Sequence, residues 1–268
     1  MTAASTPTAT KAPLLQVKGV VKRFGAVEAL SGVDFEVDAG EVVALVGDNG
    51  AGKSTLIKAI AGTQPGDEGE TFFEGQPVSI HSPHDATEIG IATVYQDLAL
   101  CDNLDVVANL FLGNELIERG PQRVGRVLNE IEMEQRAVEL LASLSVTTLR
   151  SVRTEVASLS GGQRQSVAIA RSLLGEPKVV ILDEPTAALG VAQTRQVLDL
   201  VKRLRDRGLA VIYISHNVAD IFEVADRVIV LRLGRRVATF IRAETTPDAV
   251  VAAITGARAT QAGNGEAM

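Results

Sequence analysis

Short apolar runs alternate with stretches of helical periodicity along most of the chain. Residues 42–46, 179–182 and 210–214 are almost wholly apolar, which is typical of strands buried on both faces of a parallel sheet. Between the last two runs, apolar side chains recur at helical spacing until Arg207-Gly208, a pair typical of a helix end. This strand–helix–strand repetition predicts a mostly parallel sheet covered by helices.

Further elements are predicted on either side of this repetition. Additional strands are expected at residues 14–20, 33–37, 71–73, 78–80 and 91–95. Glu74-Gly75 separates two of them as a hairpin turn, and residues 226–240 form a second hairpin around Leu233-Gly234. Ser82-Pro83 and Thr246-Pro247 predict helix starts, with the hydroxyl residue as N-cap and proline at the first helical position.

A change of composition marks the middle of the chain. Strand signals are absent there, and residues 130–144 have the pattern of a charged amphipathic helix. We therefore expect a helical subdomain at about 99–165, inserted into the α/β core of a single domain at residues 14–256. Residues 1–13 and 257–268 are rich in small and polar residues and lack apolar periodicity, which predicts disordered tails.

Composition and charge exclude several classes of protein. The 268 residues are 46% hydrophobic, too apolar for a disordered chain, and a single cysteine excludes an internal disulfide framework. No run approaches the roughly 18 apolar residues of a transmembrane helix. The net charge of −7 argues against nucleic acid as a partner, because phosphate binding requires clustered Lys and Arg. A cytoplasmic α/β protein is the class that remains.

Residues 47–54, GDNGAGKS, fit the pattern G-x-x-x-x-G-K-[ST] and directly follow an apolar strand. Glycines allow successive backbone N–H groups to face one phosphate, and the next helix directs its positive end at the same anion. Lys53 would reach the β- and γ-phosphates of ATP, and Ser54 would place its hydroxyl on Mg²⁺. The alternative is an ordinary glycine-rich turn. The predicted nucleotide-binding residues of this phosphate loop are Gly47, Asp48, Asn49, Gly50, Ala51, Gly52, Lys53, Ser54 and Thr55.

A second candidate anion site, the LSGGQ segment at residues 159–163, precedes another predicted helix. Ser160 and Gln163 satisfy a capping box, so a well-capped helix is one explanation. Gly161 and Gly162 lower helix propensity but expose N–H groups to an anion, which is the other explanation. Two phosphate-facing helix ends could serve one nucleotide only if the second came from another copy, which predicts a two-fold dimer.

Two acids and a histidine follow predicted strands. Asp183 and Glu184 end a buried strand, and adjacent residues on a strand point in opposite directions, so their roles must differ. Asp183 suits an outer-sphere partner for Mg²⁺, and Glu184 could polarise the water that attacks the γ-phosphate. Solvated acids at a strand end are the alternative. His216 follows the strand at 210–214, and a histidine there can reach the γ-phosphate if that strand lies beside the phosphate-loop strand.

The order GDNGAGKST, Gln96, LSGGQ, VVILDE and His216 resembles that of ATP-binding-cassette ATPases over nearly all of residues 14–256. The resemblance implies a P-loop NTPase (RecA-like) core with an antiparallel β subdomain and ATP sandwiched between two copies. It makes His216 the switch histidine, which is catalytic together with Lys53 and Glu184. Gln96 resembles the glutamine that touches Mg²⁺ and links the nucleotide to a membrane partner. Phe24 resembles the aromatic that stacks on adenine, with a core position as the alternative.

Within this family, GDNGAGKST, VYQDLAL, EPTAAL and ISHN resemble the monosaccharide-import branch, most of all single-cassette fructose-, ribose- and xylose-type importers. The resemblance implies ATP-driven sugar uptake through a separate permease at the inner face of the cell membrane, docked through the insert after Gln96. A substrate-binding protein would take part indirectly. Residues 187–190, AALG, lack the frequent Asp that helps couple the two sites. The alternatives are a non-transport ATPase acting on a nucleic-acid or protein complex and a binding module without turnover.

Overall fold

Ten strands and eight α-helices form within residues 12–118, 127–146 and 148–257, the parts of the chain that this computed structural model describes. The strands are β1 Leu15–Phe24, β2 Val27–Val37, β3 Val42–Val46, β4 Glu68–Phe73, β5 Gln76–Val78, β6 Ile91–Val94, β7 Val179–Asp183, β8 Ala210–Ile214, β9 Arg227–Arg232 and β10 Arg235–Ile241. The helices are α1 Lys53–Ile60, α2 Pro83–Glu88, α3 Val106–Phe111, α4 Glu130–Ser143, α5 Gly161–Leu173, α6 Val191–Asp206, α7 Val218–Val224 and α8 Pro247–Thr255. The predicted tails at residues 1–13 and 257–268 lie almost wholly outside the described residues.

Six strands form the central sheet in the order β10-β9-β3-β8-β7-β6. Neighbouring strands run parallel, except that β10 is antiparallel to β9. The three apolar runs predicted as buried strands are β3, β7 and β8, and every residue of β3 and β8 is buried. The predicted mostly parallel sheet is therefore confirmed. Because parallel strands end at a common edge, the segments after β3, β6, β7 and β8 meet there.

The two faces of this sheet belong to two hydrophobic clusters. Val42, Ala44 and Val46 of β3 pack with residues of α3 to α7 on one face. Val43 and Leu45 pack with β1, β2 and α1 on the other face, as the alternation of side chains along a strand requires. Each fully buried Val, Leu or Ile contributes about 1.5–3 kcal/mol. Helices α3 to α7 thus cover one face, and α1 with the antiparallel sheet covers the opposite one.

The antiparallel sheet has the order β2-β1-β4-β5 and is longer than predicted at its first hairpin. Strands β1 and β2 continue to a turn at Gly25, beyond the predicted ends. The prediction ended β1 too early because the polar Lys22 and Arg23 interrupt the apolar pattern. The predicted hairpin around Glu74-Gly75 is confirmed, but its second strand is Gln76–Val78 and not the predicted 78–80. Glu74 and Gly75 form a tight turn with φ of 52° and 77°, so β5 begins directly after it rather than two residues later.

Helices α1, α2, α4, α5, α6 and α8 were predicted, and the predicted caps of α2, α5 and α8 are confirmed. The hydroxyls of Ser82 and Thr246 accept hydrogen bonds from backbone N–H groups three residues on. Helices α3 and α7 were missed because they have six and seven residues, too few for periodicity to distinguish a helix from a strand. Helices α3, α4 and α5 contribute to the same hydrophobic cluster as α6. The segment predicted as a helical insert is therefore joined to the core by apolar contacts.

Candidate functional site

The phosphate loop connects β3 to α1 and has the backbone that its glycines permit. Gly47, Gly50 and Gly52 have φ of 156°, 77° and 103°, which L side chains rarely adopt. A Cβ atom on Gly47 would lie 2.3 Å from the carbonyl oxygen of Leu231, so no larger residue fits there. The turn between β9 and β10 supports the loop, since the Gly234 N–H donates to the Ala51 carbonyl at 3.0 Å.

Lys53 begins α1 and extends its side chain back over this loop. Its ammonium donates to the carbonyl oxygens of Gly47 at 2.8 Å and Asp48 at 3.1 Å. The first turn of α1 contains no acidic residue, so the N–H groups and the positive end of the helix are available to an anion. The loop therefore has the donors and the charge that bind a polyphosphate.

Asp183 ends β7 at the same sheet edge and is half-buried. Burial and the neighbouring Glu184 carboxylate raise the pKa of Asp183, while the charges of Lys53 and Lys58 act in the opposite direction. A carboxylate that is costly to ionise, and that is within electrostatic reach of Lys53, suits a site that is completed by a cation.

Replacing Asp183 with asparagine is expected to stabilise the nucleotide-free protein near pH 7. Because the folded-state pKa is raised, the free energy of unfolding falls as the pH rises from the ordinary pKa of Asp through the raised one. An amide has no such charge, so the thermal midpoint should rise by about 2–4 °C for each kcal/mol recovered. The difference should disappear below about pH 3, where both states are protonated. Asp199→Asn, at a partly exposed position on α6, serves as control, and a lower midpoint for Asp183→Asn at pH 7 would contradict the argument.

Glu184 directly follows β7 in a left-handed backbone conformation with φ of 51°. Its N–H donates to the carbonyl of Ile214, the last residue of β8, at 3.0 Å. Its side chain is 17% exposed, and Nδ1 of His216 lies 2.9 Å from Oε2. That contact is close enough for an ion pair with a protonated imidazole but lacks hydrogen-bond geometry, so the buried Oε2 accepts no hydrogen bond from the described residues. An orphaned carboxylate oxygen of this kind is available to a ligand.

Of the remaining predicted ligands, two lie at the sheet edge that holds Asp183, and one lies in the antiparallel sheet. Ser54 follows Lys53 on α1, and Gln96 is exposed two residues after β6, so both lie at the edge where Asp183 ends β7. Phe24 ends β1 in the antiparallel sheet, is 46% exposed, and has Lys22 Nζ at 5.8 Å from its ring centroid. Exposure of this ring argues against the core position weighed above.

The LSGGQ segment starts α5 with a complete capping box. The Ser160 N–H donates to Oε1 of Gln163 at 2.9 Å, and the Gln163 N–H donates back to the Ser160 hydroxyl at 3.4 Å. The paired glycines also have a packing reason that the sequence did not reveal. A Cβ on Gly161 would lie 2.9 Å from Cδ2 of Leu189, and one on Gly162 would lie 3.0 Å from Cβ of Gln193.

Replacing Gly162 with alanine is expected to lower the free energy of unfolding by about 1–2 kcal/mol. Overpacking against Gln193 outweighs the gain in helix propensity. Gly175→Ala is the matched control, because a Cβ at Gly175 meets nothing within 4 Å and the change should be neutral or stabilising. Urea unfolding measures the free energy of unfolding of both variants. Equal stabilities would show that Gln193 moves aside at little energetic cost.

Three buried polar side chains near Glu184 were not singled out from the sequence. Thr186, Tyr213 and Asp220 are 9%, 0% and 6% exposed, and Thr186 contacts both others through its hydroxyl. They are far apart in the chain and belong to a loop, a strand and a helix. Polar residues point to a functional role when they are buried, and the sequence alone does not show that these three are buried.

The groups at this sheet edge suit a nucleoside triphosphate. The phosphate loop can bind a polyphosphate, and the carboxylates of Asp183 and Glu184 can interact with a cation and a water molecule. The protein is therefore a P-loop nucleotide-binding protein. The family model described as ABC transporter matches residues 30–187, a span that includes the phosphate loop, Gln96, LSGGQ and both acids. The chain belongs to the ABC transporter family.

Known relatives are similar along almost the whole chain. The fructose import ATP-binding protein FrcA of Rhizobium meliloti is 47% identical over 249 residues, covering 92% of this chain and 95% of FrcA. The xylose/arabinose import ATP-binding protein XylG of Sulfolobus acidocaldarius is 44% identical over 242 residues, covering 90% and 94%. A solved dimeric ATP-binding cassette in a post-hydrolysis state, bound to ADP and Pi, has a TM-score of 0.69 at 27% identity, covering 85% and 98%. The predicted family and fold class are confirmed.

None of the helices in the described part of the chain has the length and apolarity needed to cross a membrane.

Proposed function

We propose that this chain is the ATP-hydrolysing subunit of an importer that takes up a small sugar, fructose-type by preference, through a separate membrane permease. One observation carries the proposal: the similarity to FrcA spans 95% of that protein. XylG, named for xylose and arabinose import, is nearly as similar, so monosaccharides are the substrate class that both names share. Lys53, Asp183, Glu184 and His216 support an enzyme that turns over rather than a module that only binds nucleotide.

The phosphate loop, the start of α1 and Phe24 offer groups that suit the phosphates and the adenine of ATP. The N–H groups of residues 47–55 and the start of α1 would hold the phosphates, and the ammonium of Lys53 would exchange its bonds with loop carbonyls for bonds with phosphate oxygens. The exposed ring of Phe24 offers a face for the adenine, and stacking on an aromatic ring is tolerant of its exact position.

Mg²⁺ also fits, because Ser54, Gln96 and Asp183 bring a hydroxyl, an amide carbonyl and a carboxylate to one sheet edge. Mg²⁺ usually takes few protein ligands and completes its shell with phosphate oxygens and water. Accordingly, among the residues that the structure describes, no group of three or more His, Cys, Asp or Glu side chains could hold a metal alone. When bound, the ion would neutralise charge on the phosphate oxygens.

Glu184 and His216 would act on the attacking water and the γ-phosphate. The free Oε2 of Glu184 can accept a hydrogen bond from water and orient it for attack. His216 is 75% exposed and contacts that same oxygen, so it can donate to a phosphate oxygen while remaining beside the carboxylate. Lys53 would stabilise the charge that accumulates on the phosphates.

A second copy would complete each nucleotide site. The LSGGQ segment of one copy would cover the ATP held by the phosphate loop of the other, and the dimeric state of the solved cassette supports this arrangement. A Cβ atom added to Gly190 would have only Oε1 of Gln193 near it, at 3.9 Å. The frequent Asp of this loop is thus replaced by glycine at a position with open space around it. Coupling between the two sites would then rely on neighbours such as Leu189, which packs on Gly161.

The permease would bind the helical segment that follows Gln96, with residues 14–256 as one cassette and about 99–165 as its inserted subdomain. In this proposal the protein works in the cytoplasm, at the inner face of the membrane, and a substrate-binding protein delivers sugar on the other side. No nucleic-acid partner is proposed, since the chain carries a net charge of −7.

The proposal is tested in proteoliposomes that contain the permease and the binding protein, with this chain and ATP on the cytoplasmic side. We expect ATP-dependent uptake of labelled fructose, with ribose and xylose as competitors that rank the specificity. Vesicles with ADP, or with the Glu184→Gln chain, are the matched controls. Uptake that is equal with ATP and ADP, or stimulation of turnover by a nucleic acid instead of sugar, would overturn the proposal.

A further inference from the structure

A buried chain of hydrogen bonds lies directly behind Glu184 and His216. The Thr186 hydroxyl donates to Oδ2 of Asp220 at 2.8 Å, and its oxygen lies 3.3 Å from the Tyr213 hydroxyl. Burial raises the pKa of Tyr213 well above its ordinary value, so its hydroxyl keeps its proton. Because the single proton of Thr186 goes to Asp220, the Tyr213 hydroxyl is the donor to Thr186.

The bond between Thr186 and Asp220 joins the two segments that carry the candidate catalytic side chains. Thr186 lies two residues after Glu184, and Asp220 lies four residues after His216, in the first turn of α7. The Glu184 N–H also bonds to Ile214 at the end of β8. The loop after β7 is therefore attached to the end of β8 at its beginning and to the first turn of α7 in its middle.

The loop after β7 needs such an attachment because its backbone is strained. Glu184 and Ala188 have φ of 51° and 60°, and non-glycine residues keep this conformation only where the surroundings hold it. Within the loop, the Ala187 N–H bonds to the Glu184 carbonyl and the Leu189 N–H to the Thr186 carbonyl. These local bonds tighten the loop but do not fix it relative to His216, whereas the Thr186 side chain does.

The Asp220 carboxylate is buried, and the Thr186 hydroxyl donates a hydrogen bond to it. Burial of a polar group disfavours folding unless it is hydrogen-bonded, so each of these two side chains depends on the other. Asp220 also lies in the first turn of α7, where the positive end of the helix favours an acid. The bond between Thr186 and Asp220 is therefore a stable link between the two segments.

We propose that Thr186 and Asp220 are positioning residues, whose buried hydrogen bond holds the Glu184 carboxylate and the His216 imidazole in register for attack on the γ-phosphate. This inference rests on the roles proposed above for Glu184 and His216. Thr186 and Asp220 are buried and would not contact the nucleotide, so their loss should change the rate of the chemical step and not the binding of ATP.

The test compares kcat and KM for MgATP, and the Kd of a fluorescent ATP analogue, in the full chain. Thr186→Val keeps the shape but removes the hydroxyl, and we expect kcat to fall about ten- to hundredfold with Kd and KM unchanged. Thr186→Ser restores the hydroxyl and should recover most of the turnover. Thr255→Val is the matched control, because the Thr255 hydroxyl bonds to a backbone carbonyl of α8, away from the site.

The double variant Thr186→Val with Asp220→Leu separates positioning from stability. It removes the Asp220 carboxylate that Thr186→Val alone leaves buried without its donor, while the Tyr213 hydroxyl loses its acceptor in both variants. The double variant should therefore unfold at a higher temperature than Thr186→Val alone and still show the low kcat. Recovery of kcat together with stability would overturn the inference, as would equal losses in the Val and Ser variants. Glu184→Gln is measured in parallel: if it retains turnover, the proposed function of Glu184 itself is wrong. If only Glu184→Gln loses turnover, the positioning inference alone is wrong.

Discussion

Glutamine in place of Glu184 is expected to reduce the kcat of ATP hydrolysis about 10²–10⁴-fold while ATP binding is retained. The amide has nearly the same shape, but it cannot accept the proton of the attacking water. The free Oε2 atom is buried beside His216, so a neutral group there also removes a buried negative charge and should not impair folding.

Because hydrolysis is blocked after ATP has bound, this variant should accumulate as an ATP-bound dimer. Size-exclusion chromatography with and without MgATP measures that shift, and steady-state phosphate release measures turnover. Glu176→Gln is the matched control, since Glu176 is exposed after α5 and has no role in the site. Turnover near that of the wild-type chain would refute the assignment, and a strictly monomeric variant in ATP would argue against the sandwich.

Alanine in place of Lys53 is expected to weaken ATP binding about ten- to hundredfold. A hydrogen bond to a charged group contributes about 1.5–3 kcal/mol, and tenfold in affinity corresponds to about 1.4 kcal/mol. Lys53 also bonds to the carbonyls of Gly47 and Asp48, so its loss removes a contact that shapes the loop.

Isothermal titration with ATP and Mg²⁺ measures this loss, and thermal unfolding shows whether the loop change affects the whole fold. Lys202→Ala removes a lysine from an exposed ion pair with Glu223 on α6 and α7, where the expected effect on affinity is nil. Unchanged nucleotide affinity in Lys53→Ala would contradict the argument from the phosphate loop.

The central sheet was predictable because its strands are nearly uniform in hydrophobicity. A run such as Val42–Val46 is buried on both faces, and only a sheet covered on both sides satisfies every one of its side chains. The ends of β1 and β2 were not predictable in the same way. Lys22 and Arg23 lie in β1, where Arg23 is exposed and the Lys22 ammonium bonds to the Pro65 carbonyl and to Asp67. A half-exposed strand with polar side chains lacks an apolar pattern.

The LSGGQ segment illustrates how one sequence feature can have two physical reasons. Capping and anion binding were both consistent with Ser160 and the glycine pair, and the capping box is present. The close approach of Leu189 and Gln193 to the two glycines is a tertiary contact between the starts of α5 and α6. No local pattern reports it, because the partners are about 30 residues away.

The sequence by itself determined the chemistry of this protein, since the phosphate loop, the two acids after β7 and the order of motifs depend on residue types at short spacings. The spacing of nearby residues in the chain determines where the backbone forms the phosphate loop and which side chains directly follow a strand. Only the tertiary structure decided how these parts meet. It shows that β8 lies between β3 and β7, that His216 contacts Glu184, and that Thr186 is bonded to Asp220. Such contacts arise from the packing of distant segments, and their geometry is encoded in no single stretch of the chain.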